Sequence, residues 1–118
     1  MKDIKFSNTK VQKIFQDAKI LTKKVGLSLA KQIIKRLDQL SAFANVYELI
    51  NAPIDNPHLL EGNLVGCIGW SVDSKHRLIL DTGLSSNPTD LKQLNNIEEI
   101  IIKGVVDYHG NKDEWIIN

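Results

Sequence analysis

Asp107, Tyr108 and His109 stand consecutively near the end of the chain. With His58, His76, Tyr47 and a handful of carboxylates, they are the side chains able to carry acid–base catalysis. An imidazole changes charge near neutral pH, so one ring can take a proton while another gives one. On an extended strand Asp107 and His109 project to one face and Tyr108 to the other, which lets Asp107 orient or charge the His109 ring. The same three residues also read as a solvated strand terminus followed by a turn at Gly110. His58 comes just before a predicted hairpin and His109 just after a predicted last strand, places where loops and strand ends commonly carry active sites. His76, at a hairpin turn, reads as solvated, and Arg77 as a cross-strand ion-pair partner. Trp70 reads as a core aromatic and Tyr47 as helix packing. There is no H-E-x-x-H motif, no glycine-rich phosphate loop and no nucleophile elbow, so zinc peptidase, nucleotide hydrolase and esterase readings lack their parts.

The elements that must position these groups follow from period and capping. Ile4 and Phe6 alternate with Lys5 as a short first strand, and Ser7, Asn8 and Thr9 offer helix caps. Val11, Ile14, Phe15, Ala18, Leu21 and Val25 recur at helical spacing, predicting one helix that Gly26 stops. Ser28 opens a second, with Ala30, Ile33, Ile34, Leu37 and Leu40 on its apolar stripe and Lys31, Lys35 and Asp38 opposite. So short a connection makes the two an antiparallel helical hairpin. Asn45 and Glu48 have the spacing of a capping box, which predicts a short helix from Val46 to Ile50 before Pro53. Past Pro57 the period becomes two. Ile68, Trp70 and Val72 alternate with Gly69 and Ser71, Asp73-Ser74-Lys75 turns, and Arg77-Leu78-Ile79-Leu80 returns. Residues 81–96 read as a long surface loop, and Ile97 to Tyr108 as a central or well-covered last strand. The expected fold class is α+β: an N-terminal strand, then a helical hairpin packed on one face of a mostly antiparallel sheet.

Composition sets the outer bounds. A chain of 118 residues with 42% apolar and 25% charged side chains suits one domain over 1–118. The N-terminus has no apolar run behind its charges and no segment approaches a membrane span, so a cytoplasmic protein with no membrane partner is expected. The one cysteine, Cys67, has no partner for a disulfide or a zinc pair and reads as a small buried strand residue. Lys10, Lys13, Lys19, Lys23, Lys24, Lys31, Lys35 and Arg36 crowd the first third against Asp3, Asp17 and Asp38. This segment is either a surface for a phosphate backbone or the solvated faces of two amphipathic helices.

The order of the pieces carries a resemblance. Pro57-His58-Leu59-Leu60-Glu61-Gly62, then Val65-Gly66 and Gly69-Trp70-Ser71-Val72, then Arg77-Leu78-Ile79-Leu80, then Val105-Val106-Asp107-Tyr108-His109 resemble the HigB branch of the RelE/ParE toxin superfamily over nearly the whole chain. The resemblance implies a RelE-like fold and the toxin of a type II toxin–antitoxin pair, acting as an endoribonuclease that cuts mRNA on the ribosome without a metal or other cofactor. It implies His58 and His109 as the catalytic histidines and Asp107 as the acid beside them. Tyr108 would stack on or hydrogen-bond the nucleotide, and Arg77 would stabilise charge on the phosphorane. The implied partners are a cognate helix-turn-helix antitoxin, the ribosome and mRNA, with DNA met only through the antitoxin. Leu59 replaces the family's proline, Glu61 its lysine and His76 its usual aromatic, and Glu61 repels phosphate where a lysine attracts it.

A second class stays open on the same scaffold: a non-catalytic binder, whether gyrase-poison-like or a degenerate toxin that only pairs with its antitoxin in autorepression. Both histidines and Asp107 favour the enzyme, whereas Glu61 keeps the binder in play. Residues 111–118 form a short C-terminal extension in which Trp115 is expected to fold back over an apolar face or dock on the antitoxin.

Overall fold

A computed structural model describes residues 1–109 and 112–118, so the turn expected at Gly110 lies outside the described residues. Strand β1 (Asp3–Phe6) leads into three helices, α1 (Thr9–Gln16), α2 (Ala18–Val25) and α3 (Leu27–Ala42). The predicted first helix is therefore two. Asp17 is extended at the break and its carboxylate accepts from the backbone N–H groups of Lys19 and Ile20, at 2.9 and 3.3 Å. The apolar period runs through Asp17 unbroken, but a side chain that caps the next turn competes successfully with helix continuation. Gly26 holds a positive φ of 89° between α2 and α3, a conformation that suits a residue without a Cβ. Val11, Ile14, Phe15, Leu21, Leu29, Ala30, Ile33 and Leu40 bury the helical stripes, each larger side chain contributing about 1.5–3 kcal/mol. Ile34, expected on the buried stripe, is exposed, and Arg36 takes the inward place instead.

Helix α4 (Val46–Ile50) forms where the capping box predicts it. Asn45 accepts from Glu48 N–H at 3.0 Å, and the Glu48 carboxylate returns to Ala44 N–H, one residue before the cap. After it come β2 (His58–Leu59), β3 (Cys67–Ser71), β4 (His76–Asp81), β5 (Glu99–His109) and β6 (Lys112–Ile117). The sheet runs β1-β5-β4-β3-β2, with β1 parallel to β5 and every other pairing antiparallel. Strand β5 is its axis. One edge pairs with β4; the other carries β1 along Glu99–Ile102 and then β6 along Val105–His109. Gly104 sits at the handover with φ 151°, and a Cβ there would collide with the Ile117 carbonyl.

Two apolar clusters sit on the two faces. Trp70, Leu78, Leu80, Ile100, Ile102, Val105 and Ile117 meet the helices in the main core. On the opposite face Cys67, Ile79 and Val106 form a smaller cluster covered by Leu60, Leu64 and Trp115. The C-terminal extension is thus a strand, and Trp115 folds back over this second apolar face. The stretch 81–96, expected to be a long surface loop, closes with a short 3₁₀ turn at Leu91–Asn96 that Asp90 caps and that buries Leu94 against α4. Among the described residues no helix is long and apolar enough to cross a membrane.

Candidate active site at the end of β5

Alternation along β4 and β5 sorts the end of the sheet by face. Val105 points to the helices and Val106 away, so Asp107 and His109 continue the helix side while Tyr108 continues the open side. The contacts agree. Asp107 Oδ1 lies 3.2 Å from His109 Nδ1. On the other face the Arg77 guanidinium carbon lies 3.8 Å from the centre of the Tyr108 ring, a cation–π stack on a side chain that is 39% exposed. The carboxylate can only accept, so Nδ1 of His109 carries the proton and Nε2 is left as the working nitrogen.

His58 reaches the open face by another route. It pairs with Gly69, which pairs with Ile79, so its side chain projects with Arg77 and Tyr108. It belongs to a strand of its own, β2, rather than merely preceding the hairpin. Its Nδ1 donates to the Asn56 carbonyl at 2.9 Å, which leaves Nε2 available. Three strand spacings separate β2 from β5, roughly 14 Å across the sheet. The structure therefore brings Arg77 to Tyr108 and Asp107 to His109, and sets His58 apart at the far side of the open face.

The loop before His58 is held by a buried cation. Arg36, expected in the solvated basic segment, is 3% exposed. Its Nε donates to the Ser71 carbonyl at 2.9 Å and one terminal nitrogen to Gln39 at 2.7 Å, while the other pairs with Asp55. Its guanidinium carbon lies 5.3 Å from the Trp70 ring centre, and the Trp70 indole N–H donates to the Ile54 carbonyl at 2.8 Å. Burial lowers the Arg36 pKa from its ordinary value, yet a guanidinium stays charged in proteins. Asp55 and Asn56 both have φ near 50°, a left-handed pair that the anchors on either side hold in place just before His58.

His76 is the residue that reading the sequence missed. Far from being solvated, its side chain is 19% exposed, and its Nδ1 lies 2.9 Å from each oxygen of Asp73. Its Nε2 faces Asp107 Oδ2 at 3.9 Å, because β4 pairs His76 directly with Asp107. Burial pushes the Asp73 carboxyl up, but hydrogen bonds from Lys75 N–H, the His76 ring and His76 N–H together outweigh it and hold Asp73 below its usual range. Glu114 on β6 lies 3.9 Å from His109 Nε2. Asp73, His76, Asp107, His109 and Glu114 thus run in a line rather than around a point, and among the described residues no three such groups are set to hold a metal ion. Cys67 is buried, and burial first, then Asp81, pushes its thiol pKa up, so it stays a protonated core side chain. Two hollows of about 410 and 290 Å³, lined chiefly by Glu98, Glu99, Asn96 and Asp81, lie at the other end of β5.

Comparison with solved structures fixes the fold. The chain superposes on a chain of the YoeB-YefM complex from Staphylococcus aureus with a TM-score of 0.53 and 20% identity, covering 93% of this chain and 99% of that one. The fold is RelE-like. No protein-family model matches the chain, and no curated protein matches it. The expected α+β layering, with helices on one face of a mostly antiparallel sheet, is what this architecture contains.

Proposed function

We propose that the chain is the toxin of a type II toxin–antitoxin pair, of the HigB-like kind, and cuts mRNA on the ribosome as a metal-independent endoribonuclease in the cytoplasm. The observation that carries this reading is the two-faced end of β5, with the Asp107–His109 pair on one side and the Arg77–Tyr108 stack on the other. An imidazole whose Nδ1–H is held by a carboxylate presents a basic Nε2, the nitrogen suited to taking the proton of a ribose 2′-hydroxyl. The freed oxygen attacks the adjacent phosphorus, the bond to the 5′-oxygen breaks, and that oxygen leaves with a proton from a second acid. The products are a 2′,3′-cyclic phosphate and a 5′-hydroxyl. Arg77 meets the charge that grows on the phosphorane oxygens, and Tyr108 offers a face for the base. His58, with Nε2 uncommitted on the open face, takes the part of the second acid only if the bound RNA and ribosome close the three strand spacings that separate β2 from β5. A cognate helix-turn-helix antitoxin restrains the activity, and contact with DNA runs through it.

One set of observations favours a non-catalytic binder on the same fold. Glu61 is exposed beside β2, and His58 lies three strands from Asp107 and His109. Purified protein in a translating extract separates the two readings, with intact and His109→Ala protein side by side and the 5′ ends of the mRNA mapped. The enzyme gives codon-phased cuts that vanish with His109→Ala; intact mRNA under both proteins establishes the binder.

A further inference from the structure

The ribonuclease reading uses Asp107 and His109 and leaves unexplained why a histidine should fill the β4 position directly across from Asp107. The surroundings of that ring are unusually constrained. Asp73 holds Nδ1 through both carboxylate oxygens, and Asp73 is itself fixed by the N–H groups of Lys75 and His76, at 2.8 and 2.7 Å. The turn is tied to the catalytic strand by Tyr108 N–H, which donates to the Lys75 carbonyl at 2.6 Å. A ring held in this way at Nδ1 turns its second nitrogen toward Asp107. Asp107 then has its two oxygens divided: Oδ2 toward His76 and Oδ1 toward His109. The charged groups the ring meets are Asp73 in the turn and Asp107 on β5, with His109 and then Glu114 following beyond Asp107.

We infer that His76 is a positioning residue for the Asp107–His109 pair, holding the Asp107 carboxylate so that Oδ1 accepts from His109 Nδ1 and His109 works through Nε2. This rests on the ribonuclease reading for its consequence but not for its geometry. Held by Asp73 through Nδ1, the ring keeps Nε2 in front of Asp107 Oδ2 at 3.9 Å and so limits the carboxylate's rotation. Without it, one oxygen of Asp107 loses its partner, the group turns, and His109 is free to adopt the Nε2–H form that an unconstrained imidazole prefers. That form has its proton on the nitrogen that must accept one. A tautomer set wrongly in this way removes the base without removing a catalytic side chain.

The test is the imidazole nitrogen spectrum of the full-length protein, labelled with ¹⁵N at histidine, for the intact chain, His76→Gln and Asp73→Asn, with His109→Ala to assign the signals. Asp73→Asn keeps an oxygen to accept the two turn N–H groups, so it preserves the hairpin if His76→Gln fails to fold. The expected result is a His109 ring protonated on Nδ1 in the intact protein, moving toward the Nε2–H form in both variants. Cleavage in the translating extract should fall by about a hundredfold in His76→Gln, the scale of a mispositioned reacting group. A His109 tautomer that is the same in all three proteins overturns the assignment whatever the cleavage rate does. If the intact protein cuts no mRNA, the ribonuclease reading fails, and the nitrogen spectrum still decides for or against His76.

Discussion

On the face of β4 and β5 turned toward the helices, the terminal side chains are His76, Asp107 and His109, flanked by Asp73 and Glu114 in a chain of alternating acids and imidazoles. On the opposite face of the same strands, Arg77 stacks on Tyr108 and the neighbouring positions are apolar, from Ile79 and Val106 to Trp115. The difference comes from nothing more than strand alternation. One residue step moves a side chain from a row of acids and imidazoles to a row offering a cation stacked on an aromatic plane. The two sets come together at the strand end, where Tyr108 and His109 are adjacent and both exposed. If that division is correct, substitutions on the two faces should fail in different ways.

If the chain is the ribonuclease proposed above, the largest effect belongs to the face that carries Asp107 and His109. Asp107→Asn keeps the shape of the side chain and removes the charge that fixes the His109 tautomer. Single-turnover cleavage is expected to fall by about a hundred- to ten-thousandfold, with binding to the ribosome unchanged. Equal loss of rate and binding would break the division, because Asp107 would then be holding the substrate. Arg77→Ala acts on the other face. The rate should drop about a hundredfold or more, as when one donor to a developing oxyanion is lost, and substrate affinity should drop with it, since the guanidinium also covers Tyr108. A rate loss with no change in affinity would assign Arg77 to the transition state alone.

These placements were legible in part from the chain itself. Asp107 and His109 share a face opposite Tyr108 because a period of two is fixed by backbone geometry, and the α4 capping box at Asn45 and Glu48 is a local hydrogen-bond pattern with a local signature. What sequence spacing does not carry is register between distant segments. His76 meets Asp107 because β4 and β5 pair with a shift between Ile79 and Leu80, and β1 lies parallel to β5 across most of the chain. The break at Asp17 was hidden because the apolar period continues through it, and β6 because its first three residues, Lys112, Asp113 and Glu114, are charged. Arg36 misleads for a related reason. An arginine on a helix is read as solvated, and its partners, Asp55 and the Ser71 carbonyl, are supplied by segments far along the chain.

Arg36 also sharpens the comparison, since it supports the open face from behind. Removing it leaves the Ser71 carbonyl without its donor, strips one face of Trp70 and frees Asp55. Arg36→Ala should cost about 2–3 kcal/mol in denaturant unfolding, the range for losing charge-assisted hydrogen bonds at a buried site. It should also loosen the 54–57 loop before the rest of the sheet, which hydrogen exchange at the β2 and β3 amides reads directly. Uniform exchange across the sheet would mean that the Arg36 network secures the whole fold and holds His58 only incidentally.

The smallest expected effect is a dependence on pH. Asp73 has its folded-state pKa held below the ordinary value of 3.8, so its ionised form favours the native chain. That contribution is complete above the unfolded value, near pH 4, and is lost as pH falls through the lower, folded value. Because 37% of the side chain is exposed, solvent screens the interaction, and its size is held to at most about 1 kcal/mol. Asp73→Asn keeps an acceptor for Lys75 and His76 N–H, so the variant isolates the charge. Unfolding free energies of the two proteins should differ by a constant amount at neutral pH and converge as the solution is acidified below pH 4. A difference that persists in strong acid would mean that Asp73 acts by its shape in the turn. The row of coupled charges would then begin at His76 instead of at the carboxylate that holds it.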